Sequence, residues 1–240
     1  MRAMTVGRVA ARRDHLFQIG MALAIAMTVI GGFGSFAMRG LVDIPNIPFW
    51  VHMHAVLFIA WTLLFVVQTV LAQRGAIVLH RLLGWTAAGL AMVMTPLAMA
   101  TALLAVRFDR VPAFFPHEIF IALNLLEVAA FGGLFIAAIR SRKRTQWHKR
   151  LMLCAMLSII GPAFGRILPM PLLGPWGGLA VMLCQLAFVI VGIGYDRLNR
   201  GRVHPAYWVG GAVIAIEGLA VPLLAAAPPV IWLTRALSPG

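Results

Sequence analysis

The chain has 240 residues, of which 62% are hydrophobic and only 11% charged, with a mean hydropathy of +0.93 and a formal net charge of +13. That balance lies far from a water-soluble domain and excludes one. No nucleophile and base pair, phosphate-binding glycine loop or soluble-cofactor fingerprint stands in the sequence, so no ordinary enzyme class is implied.

Crossing the hydrocarbon core takes about 20 apolar residues of helix. Such stretches fall at 16–36, 49–72, 81–105, 115–139, 150–168, 174–195 and 206–227. Lipid does not tolerate unpaired backbone groups, and the runs are too long and continuous for barrel strands. They predict an all-α integral membrane bundle of seven transmembrane helices. The first follows a basic segment, but its length and the lack of a small-residue cleavage site mark it as a retained span rather than a secretory signal. Pro48 suits the first turn of the second span, and Pro116 stands just before His117 in the fourth. Pro162 and Arg166 interrupt the fifth, and Pro169 and Pro171 follow it. The breaks are too short for a soluble domain, so residues 1–240 read as one transmembrane domain with a core four-helix unit over 49–168.

Charge follows topology. With the amino terminus inside, the cytoplasmic segments hold fifteen of the twenty Lys and Arg residues, including Arg2, Arg8, Arg12, Arg13 and the run "RSRKRTQWHKR" at 140–150. Arg39, Arg107, Arg110, Arg166 and Arg235 remain outside. The bias predicts an N-inside, C-outside protein of a bacterial inner membrane, with contact to anionic lipids rather than nucleic acid. Cys154 and Cys184 both fall within spans and read as packing residues, not as a disulfide or a zinc pair.

The chain holds seven histidines. Five stand at the starts of four consecutive spans: His52 and His54, His80, His117 and His148. In the second span His54, Phe58, Trp61, Phe65 and Gln68 share one face, and its polar content turns it inward. His52 lies about 200° around the helix and is the weaker candidate. His80 and Gly84 share a face that Ala87 and Ala91 continue, leaving space for a planar ligand or for a tightly packed helix. His117 and Asn124 share a face, as do His148, Met152 and Arg166. His15 and His204 read as loop residues. Alternating helix direction sorts His54 and His117 to the outer side and His80 and His148 to the inner side.

Each pair would serve as bis-imidazole ligands of a haem b, in layers about 20–25 Å apart at ~1.5 Å rise per residue. Arg81, Lys149 and Arg150 inside, and Arg39, Arg107 and Arg166 outside, would meet the propionates. The alternatives are copper, with Met152 as a soft companion, or histidines that simply anchor helix ends among headgroups. Glu127 and Glu217 fall in mid-span, where an unpaired charge costs several kcal/mol. They read as a proton or cation site, or as neutral carboxyls bonded to Asn124, Gln185 or Gln68.

At "HAVLFIAWTLLFVVQ", "LHRLLG" and "HKRLML" the chain resembles a bacterial multi-pass inner-membrane family of unassigned activity. The shared pattern stands here as His54, Gln68, His80, Arg81, Gly84, His148, Arg150 and Met152, and covers about residues 50–170. The resemblance implies a helical bundle and no particular activity. The one-histidine-per-helix arrangement is also distantly similar to dihaem b-type transmembrane cytochromes, which implies electron transfer. The histidine-rich ends and "HKRLM" resemble small membrane proteins that assist respiratory oxidase assembly, which would imply metal or haem handling for respiratory-chain components. The expected function is accordingly haem-based electron transfer. Assembly or metal handling comes second, and a proton-coupled carrier built on Glu127 and Glu217 comes third.

Overall fold

The computed structural model describes residues 2–112 and 115–238, with side chains from Arg12 onward. The side chains of Arg2 and Arg8, counted above on the inner side, lie outside the described residues. Among the described residues the chain is all-helical, with no strand: α1 (Arg2–Met38), α2 (Phe49–Gln73), α3 (Ile77–Arg107), α4 (His117–Arg140), α5 (Thr145–Ser158), α6 (Gly161–Ile167), α7 (Met170–Leu173), α8 (Gly177–Arg200), α9 (Pro205–Ala225) and α10 (Pro228–Leu237). Six helices are long and apolar enough to cross a membrane, and the number is seven when α5 and α6, bent by 47° at the break between them, are counted as one span. The protein is a multi-pass membrane bundle.

The bend has a local cause. Pro162 offers no backbone N–H and its ring would collide with the carbonyl four residues earlier, that of Ser158, so the helix cannot run on through it. The break frees carbonyls in an apolar layer. Gln185 of α8 closes them, its Nε2 donating to the oxygens of Leu157 at 2.9 Å and Ser158 at 3.2 Å. Pro48 and Pro116 sit immediately before the first residues of α2 and α4, one position outside a first-turn proline.

Two elements depart from the sequence reading. α1 runs back through the basic segment, so His15 is an exposed helical residue and not a loop residue; Ala and Arg are strong helix formers and extend the span beyond its apolar part. α10 was not anticipated. Its Pro228 and Pro229 open a short amphipathic helix, and Val230 caps a small outer cluster with Ala102, Val106 and Ile121.

α4 is the central helix, flanked by α3, α5, α9 and α10, while α1 lies between α2 and α6. Lipid supplies no hydrophobic drive between helices, so they meet where small residues let them approach. A Cβ at Gly210 would overlap Cys154 Sγ, and one at Gly192 would stand 2.5 Å from the ring of Tyr207. Cys154 is therefore a contact point between α5 and α9, while Cys184 is half-buried; both are free thiols.

The inner ends are held by ion pairs. Arg150 and Asp196 are both fully buried, with Arg150 Nη2 at 2.5 Å from Asp196 Oδ1 and Nε at 3.0 Å from Oδ2. Arg150 also donates to the carbonyl and side-chain oxygens of Gln146 at 3.1 and 2.6 Å. Asp196 accepts from the backbone N–H of His204 at 3.1 Å and lies 3.4 Å from Arg200. Asp14 of α1 meets Lys149 at 2.5 Å and Arg200 at 3.1 Å. Four spans, α1, α5, α8 and α9, are thus joined at one end.

Candidate functional site

The loop of 74–76 turns α3 back along α2, which sets His80 in the first turns of α3 beside the end of α2. Its Nδ1 lies 3.2 Å from the backbone oxygen of Gln68. A short turn likewise folds α5 back along α4, and His148 Nδ1 lies 2.9 Å from the oxygen of Ala138. A carbonyl only accepts, so each Nδ1 must carry the proton, and the neutral ring offers an unprotonated Nε2. That tautomer, with a backbone carbonyl behind the ring, is the one metal-binding histidines use.

The two rings come together, with centroids 6.3 Å apart and planes crossed at 82°. At that spacing two imidazoles could share one metal ion, given metal–nitrogen bonds of about 2.0 Å. Gln68 stands beside the pair with both amide atoms buried and unpartnered. A Cβ built on Gly84 would meet Gln68 Nε2 at 3.9 Å, an ordinary van der Waals contact, so Gly84 lies next to the Gln68 amide. Arg81 is exposed at the same end. Met152 is half-buried and packs into the main core.

Arg150 departs from its expected role. Its guanidinium is fully buried and forked onto Asp196, so it is already used as the cation of a structural ion pair rather than being free for a propionate. Sequence reasoning treated it with Lys149 as part of one charged end. Asp196 and Gln146, which engage it, were not singled out, although a search for counter-ions to an Arg inside an apolar helix would have reached Asp196, since few acids exist to choose from.

The outer histidines are not brought together in the same way. His117 Nδ1 lies 3.1 Å from Ser238 Oγ and its Nε2 lies 3.8 Å from Asp109, so both ring nitrogens already face partners. His54 packs on Phe58 with ring centroids 4.4 Å apart, and its buried Nδ1 has no hydrogen-bond partner. Among the described residues no ring contact joins His54 to His117. His52 is exposed. Arg166 donates to the carbonyl of Pro162 at 2.9 Å and lies 4.1 Å above the ring of Phe33, with its charge within electrostatic reach of His54 and Glu127.

His204 does lie in a loop, where it caps α9 by accepting the N–H of Ala206 at 3.2 Å. Burial, helped by the charge of Arg150, holds its pKa below the ordinary value of 6.5 against the opposing pull of Asp196.

Glu127 and Glu217 are buried, each with one unpartnered carboxylate oxygen. None of the three expected amide partners bonds to them. Asn124 donates to the carbonyl of Phe120 in its own helix, Gln185 serves the α5–α6 break, and Gln68 lies beside the inner histidines.

No group of three or more His, Cys, Asp or Glu placed to hold a metal ion occurs among the described residues. Two imidazoles alone suit a metal that brings its other ligands with it, as haem iron does, or one content with two ligands. Comparison with family models, with curated proteins and with solved structures gave no match.

Proposed function

We propose that this membrane protein holds one metal centre between His80 and His148 at its inner end, with haem b as the group and electron transfer at that face as the role. The observation that carries the reading is the crossed pair of rings, 6.3 Å apart, each with its Nδ1 on a backbone carbonyl. His80 and His148 would hold the haem iron through their imidazoles. When bound, the group supplies one-electron chemistry. The chain's own part is to fix both imidazole tautomers and to present the exposed Arg81 as a propionate partner.

A single centre at one face does not bridge a hydrocarbon core of about 30 Å. The reading therefore favours exchange with a partner on the inner side, for which respiratory-chain components of a bacterial plasma membrane are the expected class. Copper is the other occupant that two imidazoles suit, and it would make the chain a metal-handling or assembly factor.

The test is absorbance of the chain purified in mild detergent after expression with haem precursor, oxidised and then dithionite-reduced. Low-spin bis-histidine bands at one haem per chain are expected. His80→Ala and His148→Ala should each abolish them, and His117→Ala should leave them unchanged. A folded but colourless protein, or bands that survive His148→Ala, would overturn the haem reading, and copper titration of the same sample would then decide the alternative.

A further inference from the structure

A second polar cluster lies deeper in the bundle. Ala138, whose carbonyl holds His148, is eleven residues beyond Glu127, or about 16 Å along α4 at ~1.5 Å per residue. Glu127 of α4 is 8% exposed and Glu217 of α9 is 5% exposed, and among the described residues Glu127 Oε1 and Glu217 Oε2 have no hydrogen-bond partner. Buried polar atoms are nearly always satisfied, and α4 packs on α9 with Glu217 beside Leu126 and Ala130, so two such orphans on facing helices require an occupant.

The bend in the fifth span makes the room. Gly161, the first residue of α6, sits so that a Cβ would stand 2.9 Å from Glu127 Oε1 and 3.6 Å from Gln185 Nε2. Glu217 lines a small apolar recess between α4 and α9 with Leu126, Ala130 and Val213. The charge acting on Glu127 is that of Arg166 of α6, and the one acting on Glu217 is that of Glu127 itself. From α8 the neighbour is the neutral Gln185, and on α2 His54 faces Arg166.

Two carboxylates and one guanidinium sum to a single negative charge, and an unbalanced charge in this layer costs several kcal/mol. One proton brings the trio to neutrality, whereas two would leave the guanidinium unbalanced. We propose that Glu127 and Glu217 share a single exchangeable proton, held against the fixed charge of Arg166 in the space opened by the α5–α6 break. The step is a simple transfer in which an O–H bond forms at one carboxylate oxygen and the proton comes from and returns to water. The site is independent of the histidine pair, and its test needs no haem.

The measurement is infrared spectroscopy of the full chain in lipid at neutral pH, reading the C=O stretch of protonated carboxyl groups against the Glu127→Gln/Glu217→Gln double variant as baseline. One protonated carboxyl per chain is expected. Either Glu127→Gln or Glu217→Gln alone should remove the whole band, because the remaining carboxylate then balances Arg166. Arg166→Gln should double it. Arg166→Lys keeps the charge and should leave one band, which preserves the test if the glutamine variant fails to fold.

Two independent neutral acids would instead give a band that halves in each single Glu variant and ignores Arg166→Gln, and that result overturns the proposal. Absence of the band from the wild-type chain, or its loss on adding sodium chloride, also overturns it, the latter in favour of a metal-cation site.

Discussion

Asp196→Ala strands a guanidinium. Asp196 accepts two hydrogen bonds from Arg150 and one from the backbone of His204, and both charged side chains are completely shielded. In the variant Arg150 keeps only Gln146 and the ring of Tyr207, whose centroid lies 5.4 Å from the guanidinium carbon. Breaking a buried pair from one side costs about 3–5 kcal/mol, because the surviving charge stays desolvated. The lost Arg200 contact adds little, since that side chain is 32% exposed and its pairing is screened. Replacing both partners, as Arg150→Met with Asp196→Leu, removes the stranded charge and should restore most of the loss, because well-packed apolar pairs often equal or exceed buried ion pairs. Unfolding of the detergent-solubilised chain can be followed by helix circular dichroism and by dye labelling of Cys154, which is fully buried in the folded state. A single variant within about 1 kcal/mol of wild type, or a double variant as unstable as the single, would refute an Arg150 that depends on Asp196 for its charge balance.

Other outcomes follow from close contacts and titration. Gly210→Ala drives a methyl into Cys154 and should cost about 1–3 kcal/mol by overpacking, read as a lower unfolding midpoint; an unchanged midpoint would mean that α5 and α9 are not in contact there. Gly161→Ala should push Glu127 off its position and shift its infrared carboxyl band while leaving the reduced-haem spectrum intact. His117→Ala should speed hydrogen exchange in α10, whose end it ties through Ser238. His204 has a folded pKa below its ordinary value of 6.5, so the unfolded chain binds its proton more readily. Its contribution is present above pH 6.5 and is lost as the pH falls, and His204→Asn, which can still cap α9, should flatten that acid-side fall in the unfolding midpoint.

The spans were legible because lipid imposes a length and a composition that a chain cannot disguise, and because Pro48 and Pro116 mark helix starts by removing an N–H. Pairing across the bundle was not. Arg150 and Asp196 are separated by 46 positions, and helical periodicity places each on a face without saying which faces meet. The carbonyl partners of the inner histidines were legible, since a short turn folds each helix back along the previous one towards Gln68 and Ala138, whereas the meeting of His80 with His148 across the bundle was not. The outer two looked equivalent in sequence. Asp109 and Ser238 flank His117 for reasons of tertiary placement, the latter through a short α10 too brief to register as a span. The break at Pro162 was visible, whereas its use of Gln185 to cover freed carbonyls depends on α8 arriving alongside.

Asp14 meets Lys149 and Arg200, residues 135 and 186 positions later in the chain. At a synthesis rate of roughly 5–20 residues per second, the second of these emerges about ten to forty seconds after Asp14 itself. Until Lys149 is made Asp14 has neither of its two cations, and between Lys149 and Arg200 it has one. Arg200, the last residue of α8, completes the pairing of a residue in α1. A ribosome stalled before Arg200 would therefore leave a bundle in which α1 already packs between α2 and α6 and meets Lys149 but lacks its tie to α8.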